Sequence, residues 1–83
     1  MTRDEVLSTL RDVAVEILSV DADAVTDAAT FKEDLGADSL DLVEVVMALE
    51  EKLDISIPEE DLADIKTVGQ AVDVVMAKLG ATA

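Results

Sequence analysis

At three candidate helix starts of this 83-residue chain a hydroxyl residue is followed three positions later by Glu or Gln: Thr2 and Glu5, Ser56 and Glu59, Thr67 and Gln70. That spacing opens an α-helix reciprocally, because each side chain of the pair satisfies a backbone N–H that the first turn leaves unpaired. After Thr2, the residues Val6, Leu7, Leu10, Val13, Ala14, Ile17 and Leu18 recur at helical period, which predicts a first helix over 3 to 18. After Thr67, one apolar face gathers Val68, Ala71, Val72, Val75 and Leu79, and Gly80 reads as the stop. Pro58 suits a first turn, so a short helix is expected near 59 to 64. A further helix is expected from Ser39 to Leu53, with Asp38 or Ser39 as its cap and Asp41 in the turn where the helix dipole favours negative charge. No strand is expected. The fold class is therefore all-α, a small four-helix bundle with three longer helices, a short third helix and a long loop between the first two, forming one domain over residues 1–83.

That loop, "DADAVTDAATFKEDLGAD", has Val25, Phe31 and Leu35 as apolar anchors and ends in "LGAD", read as a flexible lead-in. Connections this long without a period of their own are often functional. Asp21 and Asp23 look like the start of a calcium loop, but Val25 then falls at its fifth position, Thr26 where glycine belongs and Lys32 where glutamate belongs. The calcium reading fails, and no metal site is expected.

Twenty acidic residues against six basic ones give a net charge of −14. Nucleic acid and anionic membrane surfaces are repelled, and the natural partners are basic protein surfaces. Residues 30 to 64 hold twelve acids and two bases, so most of the excess lies in less than half the chain. A solvated face that keeps a small protein soluble is the plainer account of such a run. With 51% hydrophobic residues the chain carries enough apolar material to fold despite its charge. The absence of cysteine fits a reducing cytoplasm, and the charged, amphipathic first residues are neither a secretory signal nor a membrane span.

With residues 39 to 53 set out at about 100° per residue from Leu40, the side chains of Leu42, Val45, Val46, Leu49 and Leu53 fall between about 140° and 240°, a core stripe. Leu40, Val43 and Met47 fall on the opposite side, interleaved with Glu44, Glu50 and Glu51. A bundle helix buries one stripe, so a second apolar stripe rimmed by carboxylates is either scattered exposure of an ordinary kind or a docking surface. In the second case the acids steer a basic partner, the apolar side chains supply the burial, and Met47 adapts to several shapes.

The chain has no His, Cys, Tyr or Trp, which leaves carboxylates and lysines as its only proton-transfer groups. Ser39 has no imidazole to activate it, and a Ser–Lys pair with Lys32 lacks room for an oxyanion hole in so small a bundle. No catalytic residue is assigned. Ser39 is instead placed to be acted upon: at a helix N-terminus, a phosphate ester on it lies near unpaired N–H groups and the positive end of the dipole. An ordinary cap is the alternative.

The run "FKEDLGADSLDLVEVVMALEEKLDISIPEED", with "DIKTVGQAVDVV" after it, strongly resembles the acyl carrier proteins of dissociated fatty acid synthases, over residues 31 to 75. The resemblance implies that Ser39, the serine of the DSL motif, receives 4′-phosphopantetheine from coenzyme A through a phosphodiester, made by a separate magnesium-dependent phosphopantetheinyl transferase. Its terminal thiol then carries growing acyl chains as thioesters.

By the same resemblance, Asp38, Leu40, Asp41, Val43, Glu44, Met47, Glu50 and Glu51 form a recognition surface for basic patches of ketosynthases, reductases, dehydratases and acyltransferases, with Ile57 and Glu59 at its edge. Lys52 departs from the acid common at its position. The acyl chain folds back among the helices, around Phe31, Val46, Leu49, Leu62, Ile65 and Ala71. The implied molecule is a cytoplasmic, monomeric, non-catalytic carrier. Polyketide or other specialised acyl assembly, and an unmodified acidic helical adaptor, are the alternatives.

Overall fold

In the computed structural model, which describes residues 2–81, the elements run α1 (Arg3–Leu18), a 3-10 turn (Ala22–Ala24), α2 (Ser39–Leu53), α3 (Glu59–Leu62) and α4 (Val68–Ala81). The first box forms as expected: Glu5 N–H donates to Thr2 Oγ1 at 3.2 Å and Thr2 N–H to Glu5 Oε1 at 2.9 Å. So does the last, with Gln70 N–H on Thr67 Oγ1 at 3.1 Å and Thr67 N–H on Gln70 Oε1 at 3.0 Å.

The middle box does not form. Pro58 itself takes the cap position with extended backbone, so Glu59 is the first helical residue rather than the third, and no side chain caps the helix. The helix is accordingly four residues long, ending at Leu62 rather than near 64. Gly80 is not a stop either, because α4 continues through it to Ala81. The left-handed residues that end α1 and α2 are Ser19 (φ 57°) and Asp54 (φ 53°), neither of them glycine.

α1 packs against both α2 and α4. Its Val6, Leu10, Val13 and Ala14 meet Val45, Val46 and Leu49 of α2 and Val68, Ala71, Val72 and Val75 of α4 in one buried cluster. The long loop contributes Val25, Phe31 and Leu35 to the same cluster, so its anchors behave as the pattern predicts. No buried polar or charged residue occurs among the described residues.

The loop is also stitched to α4 through its backbone. Thr30 and Thr67 form a single antiparallel bridge, flanked by Phe31 N–H donating to the Lys66 carbonyl at 3.0 Å and Val68 N–H donating to the Ala29 carbonyl at 2.9 Å. Gly69 N–H reaches the Asp27 carbonyl at 2.9 Å, and a Cβ on Gly69 would stand 2.9 Å from that same oxygen, so only glycine allows the approach. Arg3 closes the junction, pairing with Asp27 at 2.7 Å and Asp73 at 3.3 Å. Those hydrogen bonds, Asp27 first, hold its guanidinium above the ordinary value.

The three ion contacts among the described residues, the two of Arg3 and Lys78 with Asp61 at 3.0 Å, offset little of a net −14. At about 0.01 M salt the screening length is about 30 Å, which spans nearly the whole 33 × 24 × 20 Å molecule. Every acid then repels every other. The melting temperature is therefore expected to rise by several degrees between very low and moderate NaCl, as screening weakens net repulsion more than it weakens these exposed pairs. A flat melting temperature across that range would contradict this.

Candidate functional site

The site begins with a question of which residue caps α2. Asp38 does, accepting from Asp41 N–H at 2.9 Å, while its own N–H donates to Asp41 Oδ2 at 3.3 Å. The box closes on two carboxylates, and Ser39 becomes the first helical residue. Its side chain is exposed, and among the described residues its hydroxyl takes part in no hydrogen bond. The first N–H groups of the helix, which no intrahelical carbonyl can satisfy, lie beside it.

The segment leading into Ser39 is pinned rather than flexible. Thr30 and Asp34 exchange hydrogen bonds, Leu35 N–H donates to the Thr30 carbonyl at 3.1 Å, and Ala37 N–H donates to the Phe31 carbonyl at 2.7 Å. Leu35 and Ala37 are buried on either side of Gly36, whose φ of 66° favours glycine. The hydroxyl thus has a fixed address on a rigid edge.

Beside it opens a cleft of about 500 Å³ lined by Phe31, Ala37, Leu42 and Ile65 and rimmed by Thr30, Lys32, Glu33, Asp38, Ser39 and Lys66. Of the six residues assigned to an acyl pocket, Phe31 and Ile65 line this cleft. Val46, Leu49 and Ala71 lie deeper in the core, and Leu62 is half-buried against it. The sequence reading did not single out Ala37, Leu42 or Lys66 for this place, because residues 30 to 42 and 65 to 66 are distant in sequence and are joined by tertiary contacts, the Thr30–Thr67 bridge and the Phe31–Lys66 backbone bond among them.

On the outer face of α2, Leu40 is 72% exposed, Met47 61% and Val43 37%, with Glu44 and Glu51 exposed among them. Asp38 and Glu59 are exposed as well. Asp41 and Glu50 are half-buried and already engaged, Asp41 in the cap and Glu50 as acceptor of the Ile57 N–H at 3.0 Å. Ile57 corrects the expected surface: it is 7% exposed and belongs to the core. The left-handed turn at Asp54 and the Glu50 contact hold the 55 to 58 segment against the bundle with Ile57 inward.

A free primary hydroxyl at a helix N-terminus, next to an apolar cleft, fits a phosphate ester followed by a flexible, partly apolar arm. The comparisons with known proteins agree. The profile described as "Phosphopantetheine attachment site" matches residues 8–75. An acyl carrier protein of Phenylobacterium zucineum is 49% identical over 77 residues, covering 93% of this chain and 98% of that protein. Among solved structures, an acyl carrier protein from Enterococcus faecalis aligns with a TM-score of 0.76 at 40% identity over 94% of this chain and 99% of its own. One from Thermotoga maritima aligns with a TM-score of 0.87 at 31% identity over 98% and 94%. The chain belongs to the phosphopantetheine attachment family, among the acyl carrier proteins, and its cofactor is 4′-phosphopantetheine.

Proposed function

We propose that Ser39 is the attachment residue and that the chain, acting as one carrier domain, presents acyl intermediates to the enzymes of fatty acid biosynthesis. The observation that carries this reading is the hydroxyl itself: Asp38 has taken over the cap, so Ser39 is exposed and unspent. When bound, the arm supplies the thiol that a chain without cysteine lacks. The protein's own residues hold that arm at a fixed point, shelter what it carries and offer a docking face. They catalyse nothing in this reading, which has no His or Cys to draw on. A cytoplasmic monomer meeting its enzymes one at a time suits this role, and no helix among the described residues is long and apolar enough to cross a membrane.

The docking face consists of Leu40, Val43 and Met47 with Glu44 and Glu51 around them, and Asp38, Asp41, Glu50 and Glu59 add to its negative field. Its partners are the phosphopantetheinyl transferase and the ketosynthases, reductases, dehydratases and acyltransferases, met through basic patches. Glu44→Lys and Met47→Ala are each expected to weaken binding to a ketosynthase about 10-fold or more, while stability changes by no more than about 0.5 kcal/mol. Titration calorimetry on the loaded carrier reads the first quantity. An unchanged Kd in both variants would remove α2 from the interface.

Acyl chains would enter beside Phe31 and Ile65 and reach toward Val46, Leu49, Leu62 and Ala71, a wholly aliphatic lining apart from Phe31. Acylation is expected to shift the amide resonances of these residues and to raise the melting temperature, because a chain held only by the folded state favours it. Identical spectra before and after acylation would place the chain in solvent.

The pathway itself is tested by supplying the phosphopantetheine-loaded carrier with malonyl-coenzyme A, a malonyl transferase, an acyl-coenzyme A primer and a ketosynthase of a fatty acid system that accepts that primer. The ketosynthase condenses the acyl group with the malonyl thioester and releases carbon dioxide. Chain extension supports the reading. Refusal by these enzymes, with acceptance by polyketide counterparts, would move the carrier to specialised acyl assembly.

A further inference from the structure

The chain has six cationic side chains. Arg3 and Lys78 are held in ion pairs, and Arg11 donates to the Val25 carbonyl at 3.3 Å. That leaves Lys32, Lys52 and Lys66, whose ammonium groups make no ion pair or hydrogen bond among the described residues. Two of these three, Lys32 and Lys66, rim the cleft that also holds Ser39.

They come from distant parts of the chain and are brought together by backbone. The Thr30–Thr67 bridge and the Phe31 N–H bond to the Lys66 carbonyl set residues 31 and 66 side by side, and Lys32 follows Phe31 in the turn that Asp34 N–H closes on the Thr30 carbonyl at 3.1 Å. Glu33 and Asp38 rim the same cleft, so its four charged groups cancel before anything is added. A phosphodiester on Ser39 adds one further negative charge beside Asp38 and Asp41, in the most acidic part of a −14 chain. Two lysines of its rim whose ammonium groups are unpaired among the described residues are the available counter-charge, and flexible lysine stems suit a point contact to phosphate oxygens.

We propose that Lys32 and Lys66 act as a pair that holds the phosphodiester on Ser39, fixing the direction in which the arm leaves the protein and turning it toward the Phe31–Ile65 cleft. This rests on Ser39 being the attachment residue. The same lysines could instead meet the phosphates of incoming coenzyme A during loading, and the test separates the two.

The parent, Lys32→Gln/Lys66→Gln and the control Lys52→Gln are each treated with coenzyme A, magnesium and a broad-specificity transferase and checked by intact mass. Phosphorus NMR and lysine Cε resonances are then recorded with and without the arm. The expected result is that loading moves the Cε signals of Lys32 and Lys66 but not Lys52, and that the phosphorus resonance of the double variant differs from that of the parent and the control. At low salt, loading should lower the melting temperature of the double variant by about 2–5 °C more than it lowers that of the parent. Unmoved lysine signals with one phosphorus shift in all three loaded proteins overturn the proposal, and a slower loading rate alone alongside that result assigns the lysines to coenzyme A instead. No mass gain in the parent, with the transferase active on a control carrier, overturns attachment at Ser39 and the lysine proposal with it.

Discussion

Leu10→Ala is expected to destabilise the protein by about 2–5 kcal/mol, the range for emptying a buried leucine site. Leu10 is fully buried on α1, the helix that packs against both α2 and α4, so the cavity opens where the long helices meet. Alanine is the best helix former, and the loss therefore reports packing and not helix propensity. A domain of this length has roughly 4–12 kcal/mol in all, and each kcal/mol lost is worth about 4–8 °C. The melting temperature should accordingly fall by about 8–40 °C. In urea the midpoint should drop at unchanged slope. A loss below about 1 kcal/mol would mean that α1 is not the central strut.

Ser39→Ala should do the reverse, abolishing function while sparing the fold. Were Ser39 the cap of α2, its loss would cost about 1 kcal/mol. Asp38 and Asp41 make the capping bonds instead, so alanine at 39 should change stability by no more than about 0.5 kcal/mol, and Asp38→Ala should carry the capping cost. The pair of variants separates the two roles that the adjacent Asp and Ser divide. Any acceptance of phosphopantetheine by Ser39→Ala would show that another hydroxyl serves.

That division was beyond the sequence. Two good cap formers stand side by side at 38 and 39, and only the backbone, extended at Asp38 and helical at Ser39, decides between them. Where apolar period and cap agreed, at α1 and α4, the helix starts were legible to the residue. Local rules failed where a neighbour overrode them. Pro58 displaced the Ser56 box, and Gly80, exposed near the end of α4, stayed helical. The outer stripe of α2 was readable because a 15-residue helix has room for only one buried face. Ile57 was not, since its burial depends on a left-handed turn at Asp54 and on its N–H donating to the side chain of Glu50, seven positions earlier. The cleft is a tertiary feature throughout, made where a bridge between residues 30 and 67 brings two lysines and two apolar walls to one opening.

The most direct test is an intact mass of the parent and Ser39→Ala after incubation with coenzyme A, magnesium and a broad-specificity phosphopantetheinyl transferase. The account predicts a gain of one phosphopantetheine in the parent and none in the variant, with both proteins folded. An unmodified parent, beside a control carrier that is modified, would contradict it and leave an acidic helical adaptor as the better description.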